Sequence, residues 1–408
     1  MSIDFSTDVV IVGGGVAGSS LGAALAQAGL GVTIVEREAR FRDRVRGEGI
    51  HAWEVAEAEK LGLLEVLRGA GATELSYWRT FQNRQSAGDP LLIPEFSRLG
   101  FGEWSIYHPA IQDALIAHAE RCGASILRPA KVTAIRHGRS VEVTVRRHDK
   151  ETRLRARLVV AADGRLSGMR KLIGARTEND PLDHHHIGGV LIRGHAMDGV
   201  SVYVGDKDDA FTFNVSRADG TARTYLIGTP AKLAEYRSRD RVNELIRECE
   251  ATLPVDTFAG AEPAGPLAIY PETNIWADRL TADGVVLIGD AAMATDPSFG
   301  CGLSLVFKDA RVLRDLLLDD EDWQHAIEEF ARRHMAYAWS VRCYIAWTSS
   351  LNFTNDPDVP ERKERFQRAR QVDPEGGGYG RIIHAGPGDG LPTDDAMRRR
   401  WLGEDLVA

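Results

Sequence analysis

Cysteine is scarce in this 408-residue chain: Cys122, Cys249, Cys301 and Cys343 stand far apart with no CxxC pair. That spacing argues against a disulfide framework or a cysteine zinc site and suits a reducing cytoplasm. Excess positive charge is missing too. A formal net charge of −9 repels a nucleic-acid backbone unless a local basic stripe offsets it. The Arg-rich piece from Arg362 to Arg370 is interrupted by Glu364 and follows Glu361, the pattern of a solvated helix face, so no nucleic-acid partner is expected. No run approaches the ~18 apolar residues of a membrane helix. The opening MSIDFSTDVVIVGGG has no basic region ahead of its short apolar run, which therefore reads as a strand and not as a signal segment. A composition of 43% hydrophobic and 27% charged residues is ordinary for a globular chain of two or three domains.

Residues 8–12 (DVVIV) have a buried-strand pattern and lead into GGGVAG, followed by an Ala/Leu helix from about Val16 to Ala28. Gly29 stops that helix, and VTIVE over 32–36 is a second strand, so the unit is βαβ. Helices are expected over Ala52 to Leu67 and Pro109 to Cys122, with strands over 124–127, 141–145 and 154–161. From about Asp180 to Pro271 the texture changes: IGGVLIRG, SVYVG, FTFNV and TYLIG run between turns and predict a mostly antiparallel sheet, with one helix near Val242 to Glu250. GVVLIGDAA (284–292) returns to the buried-strand pattern, with helices expected from Gly302 to Leu318 and from Trp323 to about Ser350. Beyond Asn352 the glycine-rich sequence predicts a loop-rich tail lying over the other domains.

Gly13, Gly15 and Gly18 stand in GxGxxG register between strand and helix, and Glu36 ends the second strand. The first glycine permits a tight turn, the second lets backbone approach a pyrophosphate, and the third lets helix and strand pack closely. The helix N-terminus supplies unpaired N–H groups, and the carboxylate can accept both hydroxyls of an adenosine ribose. The unit predicts dinucleotide binding without deciding between NAD and FAD.

Two further segments, LVVAADGRLSGMR (158–170) and VVLIGDAAMATDPSFGCGLSLVFKD (285–309), complete a pattern. The chain resembles the class A flavoprotein monooxygenases, the para-hydroxybenzoate hydroxylase family, over most of residues 5–320. That resemblance implies an α/β fold: a Rossmann-like FAD-binding domain with a mostly antiparallel β-sheet substrate domain. The implied division is a discontinuous FAD-binding domain over 1–70, 105–180 and 272–320, a substrate domain over 71–104 and 181–271, and a C-terminal helix with covering tail over 321–408. It also assigns roles. Asp290 would bond a ribityl hydroxyl, Pro297 would begin the loop passing the isoalloxazine ring, and Leu303 and Ser304 would aim N–H groups at flavin O2 and N1, beside Gly300 and Gly302. Asp163 and Gly164 match the family's DG motif; Glu36 and Arg37 match its ribose and adenine contacts, and Arg46 an arginine near the pyrophosphate. Ala17 and Val132 fall at further cofactor-contacting positions.

The chain also departs from the family. GDAAM has Met293 where many members carry histidine, and HPAIQDAL starts a helix with His108 where they carry Arg or Gln. His108 or Gln112 would take over that contact. Cys301 falls beside the expected flavin ring and reads as a small buried residue. His184, His185 and His186 would point to alternate faces of a strand, so no metal site is expected from them. No WxWxIP halogenase signature and no second glycine-rich nucleotide unit is present.

The expected activity is a monooxygenase using transient NAD(P)H and O2, acting through a flavin C4a-hydroperoxide on an aromatic or other electron-rich small molecule. No catalytic side chain is singled out. Arg193, Tyr203, Phe213 and Tyr225 are candidate substrate liners. The alternatives are a Baeyer-Villiger or epoxidase variant, a reductase or dehydrogenase of the prenyl-reductase type, and a flavin-bound sensor. Substrate and oligomeric state stay open.

Overall fold

A computed structural model describes residues 5–138, 140–181, 185–207, 209–352 and 356–406. Its first sheet runs in the order Thr281–Ala282, Val285–Leu287, Lys150–Ala161, Phe5–Val12, Val32–Val35, Ser125–Leu127. The inner pairings are parallel, and Val9, Val10, Ile11, Val159 and Val160 are fully buried. Both faces of the sheet are covered, which is why the strands read as continuous apolar runs. Helices Val16–Gln27, His108–Arg121 and Gly302–Asp319 pack on one side. Strands Lys131–Arg136 and Val141–Arg147 add an antiparallel layer.

The second sheet runs Glu262–Pro263, His186–Arg193, Thr221–Gly228, Ala210–Ser216, Val202–Lys207, Trp78–Gln82, Gln85–Ser86. All its pairings are antiparallel except Val202–Lys207 with Trp78–Gln82. Helix Val242–Glu250 packs its apolar stripe on one face; the other face is turned toward the first sheet's nucleotide loops.

Two sequence expectations are corrected. The stretch expected as one helix from Ala52 to Leu67 is two, Ala52–Lys60 and Leu64–Gly69, because Gly62 adopts φ +71 between them, a conformation that ends a helix. The tail is helical, with Val359–Val372 and Asp395–Leu402. Its long charged side chains hid the pattern, since Val359–Val372 buries Ala369 alone. The tail docks through Phe366, Tyr379 and Trp401 and lies over helix Ala52–Lys60, where Trp53 Nε1 donates to the Ile383 carbonyl at 2.9 Å.

Candidate active site

One cavity of about 1120 Å³ runs between the glycine-rich turn and the second sheet. Gly13, Gly15, Ala17, Glu36, Arg37, Arg46, His108, Gln112, Val132, Asp163, Asp290, Pro297, Gly300, Gly302 and Leu303 all line it. Gly18 and Ser304 are absent from its wall. A Cβ on Gly18 would meet the Gly13 carbonyl oxygen at 2.0 Å, so this glycine serves close packing of helix on turn. Ser304 turns its hydroxyl away, donating to Glu54 Oε2 at 2.7 Å.

Gly13 has φ +107, and a Cβ there would lie 2.3 Å from the Ala162 carbonyl oxygen, whereas one on Gly15 would meet only Gln112 Nε2, at 3.6 Å. The turn is therefore tight where it abuts protein and open where it faces the cavity. Helix Val16–Gln27 begins there with no side-chain cap and no acid in its first turn, leaving N–H groups for a phosphate. Glu36 is oriented by two backbone donors, Gly14 N–H to Oε2 at 2.7 Å and Glu38 N–H to Oε1 at 2.6 Å. The Asp163 carboxylate is committed locally: it accepts from Ser167 Oγ at 2.6 Å and from the N–H groups of Gly168 and Met169 at 2.7 and 3.1 Å. His108 Nδ1 is buried without a partner, and burial together with Arg46 pushes its imidazole down to about 4. Burial raises Asp290 against the opposing pull of Arg46 and Arg165.

The family model for the FAD binding domain matches residues 6–320. This chain is a member of that family, the class A flavin monooxygenases. As a flavoprotein its cofactor is FAD, and the features above fit it: an open glycine turn, an uncapped helix, a ribose-height carboxylate and an unpartnered buried imidazole. The mouse squalene monooxygenase is 25% identical to the flavoprotein over 334 residues, 79% of this chain and 57% of that one. The chain thus spans little more than half of such relatives. The kynurenine 3-monooxygenase of Xanthomonas oryzae pv. oryzae is 28% identical over 400 residues, 88% of this chain and 83% of the relative. The p-nitrophenol 4-monooxygenase of Pseudomonas putida has the same fold, with a TM-score of 0.74 at 20% identity over 99% of this chain and 98% of that one.

On the second sheet, Phe213 and Tyr225 line the flavoprotein's cavity as expected, but Arg193 and Tyr203 do not. Successive residues of a strand face opposite sides. Val202 faces the cavity, so Tyr203 points into the far core against Phe81, while Arg193 pairs with Glu262 at 3.1 Å near solvent.

Three polar clusters escaped the sequence reading. In the first, Glu103, 1% exposed, accepts from His51 Nδ1, His384 Nδ1 and Trp78 Nε1, each at 2.7 Å. His51 Nε2 lies 2.9 Å from the Phe299 carbonyl. A carbonyl only accepts, so Nε2 carries a proton, and with Nδ1–H on Glu103 the ring is an imidazolium. Burial opposes that charge, but Glu103 holds the His51 pKa well above its usual value. Burial likewise opposes ionisation of Glu103, and His51 with His384 overrides it to bring the carboxyl down to about 2. His51 and Glu103 line the cavity next to the Pro297–Gly300 loop, and Cys301 lies buried behind, its Sγ 3.4 Å from the same carbonyl.

In the second cluster, His185 Nε2 sits 2.7 Å from Glu272 Oε2 and 3.2 Å from Asp296 Oδ2, and Ser298 Oγ joins both acids. Burial and then Asp296 raise Glu272 to about 7; on His185, hydrogen bonds to Asp296 and Glu272 outweigh burial and raise it to about 9. This knot ties the Asp296–Ser298 loop to the edge of the second sheet. His184 lies outside the described residues. In the third cluster, the fully buried Arg223 is held by Asp43 Oδ2 at 2.8 Å and Glu48 Oε1 at 3.0 Å, and burial lifts Glu48 to about 7. Glu48, His51 and Glu103 carry no local signature, since their partners come from elements far along the chain.

Proposed function

We propose that this protein is an FAD-dependent monooxygenase that takes electrons from NAD(P)H and inserts one atom of O2 into an aromatic or other electron-rich small molecule. The observation that carries the reading is a continuous cavity, whose one half is a dinucleotide cradle and whose other half is the apolar face of a separate sheet. FAD, when bound, supplies the transfer of electrons from donor to O2 and of one oxygen atom onward.

The chain's own residues bind, orient and exclude water. Glu36 accepts the ribose hydroxyls, the Gly15–Ala17 N–H groups and Arg46 hold the pyrophosphate, and Gln112, His108 and Asp290 hold the linker. Arg37 and Val132 flank the adenine side. The Asp163–Gly164 turn acts through its backbone, because its carboxylate caps helix Gly168–Leu172. Helix Gly302–Asp319 has no side-chain cap and no acid in its first turn, so Gly302 and Leu303 present a positive end to the charge that a reduced ring carries. Pro297 and Gly300, which line the cavity, would shape the loop that borders the ring. No helix among the described residues is long and apolar enough to cross a membrane, and the four free cysteines suit the cytoplasm. The same division supports reading 1–70, 105–180 and 272–320 as the cofactor part, 71–104 and 181–271 as the substrate part, and 321–408 as the cover.

Turnover of the FAD-loaded protein under 18O2 with NADH or NADPH tests the proposal. Label in the product, coupled to donor oxidation, is the expected outcome. Donor-dependent product without label would replace it with the reductase reading.

A further inference from the structure

The second sheet presents its cavity face in cross-strand rows. One row is Arg223, Val215, Val202, Trp78; the next is Tyr225, Phe213, Val204, Thr80. Neighbours in such rows lie side by side. The face therefore grades from a charged end on Thr221–Gly228, through aliphatic side chains, to an indole that packs edge-on against Phe213 at 5.3 Å. Leu75, Trp78, Val202, Phe213 and Val215 line the cavity there.

The cations and anions of this chamber are unequally available. Arg223 is held by Asp43 and Glu48, and Arg217 by Asp219 at 2.7 Å and, more loosely, by Glu48 Oε2 at 3.9 Å. The cationic side chains that line the cavity itself, such as Arg46, Lys131 and Lys171, come from the nucleotide-binding segments. At the indole end the Glu103 carboxylate is saturated by three donors. At the charged end Glu48 differs: Oε1 takes the Arg223 Nε proton at 3.0 Å, while Oε2 is buried without a hydrogen bond, its nearest ionic partner Arg217 being 3.9 Å away, on a residue that lines the cavity and is 4% exposed. A buried acceptor left unmatched is costly, and a ligand donor would relieve it. A carboxylate brought into the same space would lose its water and meet the two wall carboxylates, Glu48 and Glu103, while the Arg217 and Arg223 guanidiniums stand outside the cavity lining, a heavier penalty.

We infer that the chamber takes an uncharged ring compound, apolar over its body, whose single hydroxyl or N–H group donates to Glu48 Oε2 while its ring lies along Val215, Val202 and Phe213 toward Trp78. This assignment rests on the monooxygenase reading of the cavity, and it excludes substrates that carry a carboxylate into the chamber.

Calorimetric titration of the FAD-loaded protein without donor tests it at about pH 8, where Glu48 and free carboxylates are ionised. The probes are 2-naphthol, 2-methoxynaphthalene and 6-hydroxy-2-naphthoate. 2-Naphthol should saturate, the methoxy compound should bind about tenfold more weakly for want of the donor, and the carboxylate about a hundredfold more weakly. Glu48→Gln should erase the preference for naphthol over its ether: Arg223 will take the amide oxygen and turn the NH2 to where Oε2 stood. Carboxylate binding within threefold of naphthol, or saturation by none of the probes, would overturn the uncharged-ring assignment. An unchanged naphthol-to-ether ratio in Glu48→Gln would overturn the Glu48 anchor, and the wild-type arms stand if that variant does not fold. Binding is read without oxygen chemistry, so intact binding with no labelled product would sink the monooxygenase reading and leave this one standing.

Discussion

Replacing Glu103 with Gln is the sharpest single perturbation of the cavity wall. Glu103 accepts three hydrogen bonds, each 2.7 Å long, and its carboxyl is held near 2 against an ordinary 4.5 by His51 and His384 despite burial. That depression corresponds to about 3 kcal/mol of folding stability. A Gln amide offers one acceptor and one donor to three N–H groups, and it leaves the His51 imidazolium buried without its counter-ion. Removing one partner of a buried pair typically costs about 3–5 kcal/mol, so the two routes agree. Urea unfolding of the FAD-loaded proteins near pH 7 should show a loss of about 3 kcal/mol. The pH dependence carries the mechanism. Because the folded pKa of Glu103 lies below the unfolded one, its contribution is fully present above about 4.5 and disappears as pH falls toward about 2. The penalty in the variant should therefore shrink between about pH 5 and pH 2. His51 works in the opposite sense: with its folded pKa well above 6.5, its share is present below 6.5 and fades only as pH rises through the folded value. Histidine 15N NMR should show His51 protonated on both nitrogens at neutral pH in the wild type and not in the variant. A penalty below about 1 kcal/mol, or one that is flat with pH, would refute the reasoning.

Three further outcomes are expected. Gly18→Ala places a Cβ 2.0 Å from the Gly13 carbonyl oxygen, a backbone atom that cannot turn aside, so the purified variant should lose its yellow colour; FAD retained at one per chain would contradict this. Asp309→Ala removes the acceptor shared by the Gly289 N–H at 2.7 Å, the Tyr337 hydroxyl at 2.5 Å and His334 Nδ1 at 2.9 Å; loss of this buried network should cost about 3 kcal/mol in urea unfolding and raise the FAD dissociation constant, since it holds the turn carrying Asp290. The Cys301 thiol, 1% exposed and raised in pKa by burial, should react with a disulfide reagent far more slowly than the half-buried Cys122 in the folded protein, and equal rates would show that the loop opens.

Much of the cofactor half was legible because its signals are local. Gly13, Gly15 and Glu36 act within one βαβ unit, and glycine freedom, helix start and strand end each leave a mark within a few residues. Helix Val242–Glu250 matched its expected bounds for the same reason. The substrate half was not legible to that depth. Tyr203 and Phe213 look alike as aromatic residues in apolar strands, and only strand register decides which one faces the cavity.

What the sequence determined by itself was a glycine turn, a helix and a carboxylate in an order that binds a dinucleotide, because short-range geometry suffices for that. What the tertiary structure alone decided was the chamber beside it. Glu103 meets His51 across 52 residues and His384 across 281, and Arg223 meets Glu48 across 175. Pairing of buried charges is settled by which elements pack against each other, and no spacing along the chain encodes it.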